Sequence, residues 1–367
     1  MTVRLGSASI QFEHGPSVIA AASAVGPKEG EGPLGPLFDF IDRDGTMEQK
    51  SWEEAESELQ KKALQLAVEK AAVPRNRIRY LFAGDLLGQC VASSFGLKET
   101  AIPLFGLYGA CSTMGESLSL AAMTLAAGYA EYVLCVTSSH YASAERQFRF
   151  PSDYGNQRPA SATWTVTGSG AVVLGAEDGS GTERIGTVQN GGGADESGGT
   201  GNAGNRIVRI TGITTGKIVD YGVKDSMNMG AAMAPAAADT ICQHFEDFGT
   251  EPKQYDKLIT GDLGTVGQKI LLDLAMERGF DLRGRHTDCG IEIYQAEKQD
   301  THAGGSGCGC SAVVFASYIL PLLARGEWKR VLFVPTGALL SKISFNEGKT
   351  IPGIAHAVLL ESEEGGL

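Results

Sequence analysis

NRIRYLFAGDLLGQC, residues 76–90, is a short apolar strand that ends in Gly84-Asp85-Leu86 and continues through Gly88 to Gln89. YDKLITGDLGTVGQKIL, residues 255–271, follows the same order: an apolar strand, Gly261-Asp262-Leu263, a glycine, then Gln268. A helix-like segment precedes each. In the first, SWEEAESELQKKALQLAVEKAA (51–72), Ser51 and Glu54 have capping-box spacing. Leu59, Ala63, Leu66 and Ala67 then fall on one helical face.

The parallel continues downstream. GACSTMGESLSLAAMTLAAGYAEYVLCVTSS (109–139) runs from a glycine turn through an apolar helix and Gly128 to a buried strand. GGSGCGCSAVVFASYILPLLARGEWKRVLFVPTGALL (304–340) does the same through Gly326. Strand, glycine and helix in succession are common to α/β chains, but two such series in the same order point to a duplicated unit. Continuous apolar strands alternating with helices favour largely parallel sheets covered on both faces. The expected architecture is therefore α/β, with two halves stacked as two sheets and helices between them. The first half spans 1–185 and the second 207–367. Between them, 186–206 is a Gly-rich loop too polar to form a core of its own.

The net charge of −12 over 367 residues argues against nucleic acid and against unaided binding to an anionic membrane. No run reaches the ~18 apolar residues of a membrane span, and the N-terminus lacks the apolar core of a signal peptide, so a soluble protein is expected. The seven cysteines show no CxxC or zinc spacing, which predicts free thiols in a reducing compartment. Asp42-Arg43-Asp44-Gly45 opens like a calcium loop, but its glycine comes too early, and an ordinary turn is expected. No resident metal or cofactor is predicted.

Cys111, in FGLYGACSTMGESLSLAA (105–122), enters the first turn of a helix. Unpaired N–H groups and the helix dipole there lower a thiol pKa, and they also bind carboxylates. Ser112 and Thr113 add hydroxyl donors. A nucleophile, a ligand contact and an inert buried thiol all remain open on these grounds.

The duplicated chain with GACSTMGESLSLAA in its first half, TWTVTGSGAVVLGAE (163–177) closing that half and EWKRVLFVPTGALLS near the end resembles the thiolase superfamily. The resemblance covers most of the chain. It implies a five-layer α-β-α-β-α fold, dimerisation through the first-half sheet and an active-site cysteine at Cys111. Such enzymes pair the cysteine with two polar groups, commonly histidines or a histidine and an asparagine. Here Gly261-Asp262-Leu263 stands where the first is expected, and His302 matches the second. If the chain is an acyltransferase or condensing enzyme, Cys111 and His302 are its catalytic residues. Pro335-Thr336 replaces the second cysteine of thiolases.

GKIVDYGVKDSMNMGAAMAPAAADTI (216–241), GPLGPLFDFIDRDGTMEQKSWEEAES and the two Gly-Asp-Leu turns narrow the resemblance to a thiolase-like family of spore proteins in endospore-forming Bacillus-type bacteria. That implies a protein without catalytic activity. It would bind dipicolinic acid, free or as its calcium chelate, and support uptake into the developing spore with membrane-embedded stage V sporulation proteins. It would associate peripherally with the forespore inner membrane through them. The expected ligand contacts are Cys111, Ser112, Thr113, Asp85, Asp262, His302 and His140. Asp85 and Asp262 end equivalent strands, so they either face each other across a site that can hold calcium or cap their own turns.

Overall fold

A computed structural model describes residues 2–149, 157–176 and 206–364; the Gly-rich loop expected at 186–206 lies outside them except for Arg206. The first half contributes β1 (Ser17–Val25), α1 (Trp52–Ala71), β2 (Ile78–Gly84), β3 (Leu104–Gly106), α2 (Thr113–Ala126), β4 (Tyr132–Ser139), α3 (Tyr141–Phe148) and β5 (Gly168–Gly175). The second contributes β6 (Arg206–Thr214), α4 (Met229–Phe248), β7 (Lys257–Thr260), α5 (Gly264–Glu277), β8 (His286–Asp288), α6 (Cys308–Val314), β9 (Arg330–Val334) and β10 (Ala357–Glu364).

The strands lie in the order β3-β2-β4-β5-β1 in the first half and β8-β7-β9-β10-β6 in the second. The pairings match term for term. β1 is antiparallel to β5, β5 to β4, and β4, β2 and β3 run parallel. Likewise β6 is antiparallel to β10, β10 to β9, and β9, β7 and β8 run parallel. The sequence repeat is therefore a structural repeat, down to strand direction. The two five-stranded sheets meet edge to edge at one pair, Ser17 with Arg209. The Arg209 guanidinium fixes that corner by donating to Ser17 Oγ and Gly15 O, each at 3.0 Å.

Alternation along the strands sorts the chain into layers. Val133 and Cys135 of β4, with Val331 and Phe333 of β9, face a middle layer that contains α2 and α6. The alternate residues Leu134 and Val136 face α1, and Leu332 and Val334 face α4. Phe315, just beyond α6, stacks on Phe333 at 4.6 Å, while the Cys308 thiol at the start of α6 donates to Ser138 O of β4 at 2.8 Å. One helix of the second half thus seals both sheets, giving the five layers. α1 begins as its sequence predicts, with Ser51 Oγ accepting from Glu54 N–H.

Candidate functional site

Both central helices begin at the same place. Cys111 lies in a single 3-10 turn, Ala110–Ser112, that leads into α2. Ser112 Oγ donates to Gly109 O at 2.7 Å, and Thr113 Oγ1 donates to Ala110 O at 2.6 Å while accepting from Gly109 N–H. Both side chains are fully buried. Their hydroxyls, expected as ligand donors, are instead committed to holding the turn. A second strand presses on it from outside: a Cβ on Gly337 would stand 2.5 Å from Gly109 O.

The second half supplies Asp262, immediately after β7. Its carboxylate accepts from Gly307 N–H at 3.0 Å and from Thr336 Oγ1 at 2.7 Å, and it lies beside the Cys111 thiol. Burial raises its pKa to about 7 despite these donors. The neighbouring Asp288 is wholly engaged by Leu263 N–H, Gly264 N–H and Thr260 Oγ1 and shapes the start of α5. Around Cys111, burial first and then the Asp262 charge push the thiol well above its ordinary pKa, against a smaller opposing effect of Gly307 N–H. The helix-terminus argument predicts a lowered thiol pKa. It fails here because desolvation and a carboxylate outweigh the dipole.

Cys111 forms part of the wall of a cavity of about 260 Å³. Leu86, Ala144, Phe148, Met229 and Leu340 make much of it apolar, and Tyr108, Thr165, Ser306 and Ser341 add polar groups. Tyr108 is turned away from ligand duty, donating to Leu86 O at 2.9 Å. Among the described residues, the charged groups on the wall are Glu145 and Arg149. They form an ion pair at the end of α3, with side chains 12 % and 11 % exposed. Arg149 Nε is buried and has no hydrogen-bond partner.

Three expected contacts lie elsewhere. Asp85 ends β2 as Asp262 ends β7, but its carboxylate accepts from Leu87 N–H, Ser93 N–H and Ser93 Oγ at 2.7–2.8 Å. It caps its own loop and does not face Asp262 across the cavity. His140 caps α3 through Nδ1, which accepts from Ala142 N–H, while Nε2 meets Gly45 O at 2.8 Å. His302 is held by Pro159 O and Asp300, beside Arg158, away from the cavity wall. The Asp42–Gly45 segment is a turn: Asp44 accepts from Thr46 N–H and Oγ1. Among the described residues no cluster of His, Cys, Asp or Glu suits a metal ion.

Glu145 and Arg149 are site residues that the sequence alone did not single out, and Thr336 was noted there only as standing in place of a second cysteine. Arg149 does fall in RQFRFPSDYGNQRP (146–159), where arginines and aromatics suggest a site entrance, but nothing local distinguishes it from Arg146. Residues 150–156 of that stretch lie outside the described residues.

The family model for Stage V sporulation protein AD matches residues 6–361. The chain is 43 % identical over 354 residues to "Stage V sporulation protein AD" of Bacillus subtilis (strain 168), covering 96 % of each. Among solved structures, it resembles 3-oxoacyl-[acyl-carrier-protein] synthase III from Aquifex aeolicus VF5 with a TM-score of 0.54 at 13 % identity, covering 95 % of this chain and 100 % of that one. A variant of OleA from Xanthomonas campestris aligns with a TM-score of 0.56 at 14 % identity, over 95 % of this chain and 98 % of that one. At such identities the likeness is one of fold.

Proposed function

The chain belongs to the stage V sporulation protein AD family, and from that membership we propose that it is a non-catalytic thiolase-fold protein that binds dipicolinic acid. The observation that carries this reading is a small, largely apolar cavity that has Cys111 on its wall and Arg149 as the cation lining it among the described residues. A guanidinium edge is suited to a carboxylate, and the apolar wall to a flat aromatic ring. A volume near the lower end of small-molecule sites favours a compact ligand.

The condensing alternative has one observation in its favour, the retention of Cys111 at the end of a thiolase-type helix. Against it, no histidine lines the cavity among the described residues, and Asp262 opposes the thiolate. A neutral thiol can donate weakly to a ligand carboxylate, whereas a thiolate would repel it.

The biological step proposed is uptake of the ligand into the developing spore. Among the described residues no helix is long and apolar enough to cross a membrane; passage is assigned to membrane-embedded partners of the same sporulation stage. Homodimerisation is assigned to the edge strand β3, where Leu104 and Phe105 are exposed beside unpaired backbone.

Calorimetric titration of dipicolinate, with and without calcium, into this protein and its Cys111→Ala variant tests the reading. Saturable binding that weakens in the variant is expected. No binding to either protein, together with acyl transfer from acyl-CoA to Cys111, would overturn it in favour of the enzyme.

A further inference from the structure

We infer that His140 is a pH-sensitive latch on the cavity: its neutral imidazole pins the start of α3, and protonation in mild acid frees that helix and loosens the wall it provides. α3 contributes Ala144, Glu145, Phe148 and Arg149 to the cavity, so whatever fixes this helix fixes the shape of the site. His140 directly precedes the helix and is 4 % exposed. Both ring nitrogens are engaged, and the two bonds require one tautomer. Gly45 O can only accept, so Nε2, 2.8 Å away, carries the proton. Nδ1 is therefore bare and accepts from Ala142 N–H at 3.1 Å. A second proton has to go on Nδ1, where it would point at the N–H that Nδ1 now accepts. The imidazolium can keep Gly45 O but loses the cap, and a lost N-cap frays a first turn.

The groups around the ring come from three elements. From α1, Trp52 lies with its ring centroid 5.6 Å from that of the imidazole, and Glu53 pairs with Arg146 of α3. From the preceding turn come Asp42, which accepts from Met47 N–H, and Asp44, which is turned to Thr46. On the other side Tyr141 N–H donates to Thr167 Oγ1, and Thr167 N–H in turn donates to the buried Glu29. Burial holds the imidazole below its ordinary pKa, against the smaller opposite effects of the Gly45 bond and of Glu53 and Asp42. A histidine depressed in this way adds stability that is complete above the ordinary value of about 6.5 and is lost as pH falls below it. The remaining titratable neighbour is Glu56, which accepts from Ser143 Oγ at 2.7 Å and from Ser138 Oγ at 3.0 Å. It belongs to α1 and stays buried when α3 loosens, so with a pKa of about 8 it keeps its proton in both states and does not drive the change. The cavity thus keeps its shape at and above neutrality and gives way in mild acid.

Hydrogen exchange read by mass spectrometry tests the latch without any ligand. Rates are converted to protection factors, which removes the intrinsic pH dependence of exchange. In the unaltered protein, protection over 141–148 should fall as pH drops below about 6.5, by up to about tenfold per pH unit, while α2 and α6 keep theirs. His140→Asn supplies a good N-cap that does not titrate, so its α3 should stay protected over the same range. His140→Ala removes the cap at every pH, and protection of α3 should be lower by roughly fivefold throughout and no longer vary with acid. An α3 in the unaltered protein that stays protected into mild acid would overturn the latch, and so would an equal acid loss in His140→Asn. A merely structural role for His140 would change the level of protection in the variants but not its pH profile. The profile of the unaltered protein decides the matter even if a variant does not fold.

Discussion

Asp262 and Cys111 stand side by side although they come from opposite halves of a duplicated chain, and the Asp262 charge pushes the thiol pKa up. Together with burial, that carboxylate disfavours the thiolate.

Alkylation measures that contact. Cys111 should react with iodoacetamide at neutral pH far more slowly than an exposed thiol, because burial and Asp262 both disfavour the thiolate. Asp262→Asn removes one of those causes, so its Cys111 should label faster, as read by mass spectrometry of the labelled peptide. Rapid labelling of the unaltered protein would contradict the assignment.

Stability should fall as pH rises across the range set by the same aspartate. Its folded pKa of about 7 lies above the ordinary 3.8, so between these values the folded state binds a proton that the unfolded chain releases. The contribution is fully present below about pH 4 and is lost as pH approaches 7, on the order of 2–4 kcal/mol. Asp288 at about 6 and Glu56 at about 8 act in the same direction. The slope of denaturation midpoint against pH should therefore be shallower in Asp262→Asn, but not flat.

Filling the cavity should separate binding from folding. Ala144 is 4 % exposed on the cavity wall. Ala144→Phe places a ring where the ligand ring would lie, so dipicolinate binding should disappear in calorimetry. The thermal midpoint should change little, since the new side chain occupies existing space. Unimpaired binding would move the site elsewhere.

Gly337→Ala tests the support beneath Cys111. A Cβ there stands 2.5 Å from Gly109 O and 3.3 Å from Cys111 N, so the turn or the strand must shift. Binding should weaken together with a stability loss of about 1–3 kcal/mol from overpacking. Equal affinity in the variant would show that the turn can relax without cost to the ligand.

The architecture was legible because its signals are local. Alternation in YVLCVT and VLFVPT, glycine-led helix starts and the twice-used Gly-Asp-Leu turn each lie within a few residues, and the duplication made each reading support the other. The site was less legible for a complementary reason. Asp85 and Asp262 have the same local motif, yet Asp85 is satisfied by Ser93, 8 positions away, and Asp262 by Gly307 and Thr336, 45 and 74 positions away. No local pattern separates those outcomes. Nothing local to Glu145 and Arg149 shows that residues as distant as Leu340 and Met229 line the same cavity.

The sharing of α6 between the two sheets sets an order of events in the life of the chain. While only residues up to β5 have emerged during synthesis, Cys111 has neither Asp262, Gly307 nor Cys308 beside it, and the inner face of its sheet is covered by α2 without α6. The thiol is then in its most exposed and most acidic state. Completion of the second half both encloses the cavity and ends the period in which that sulfur is open to oxidation or alkylation.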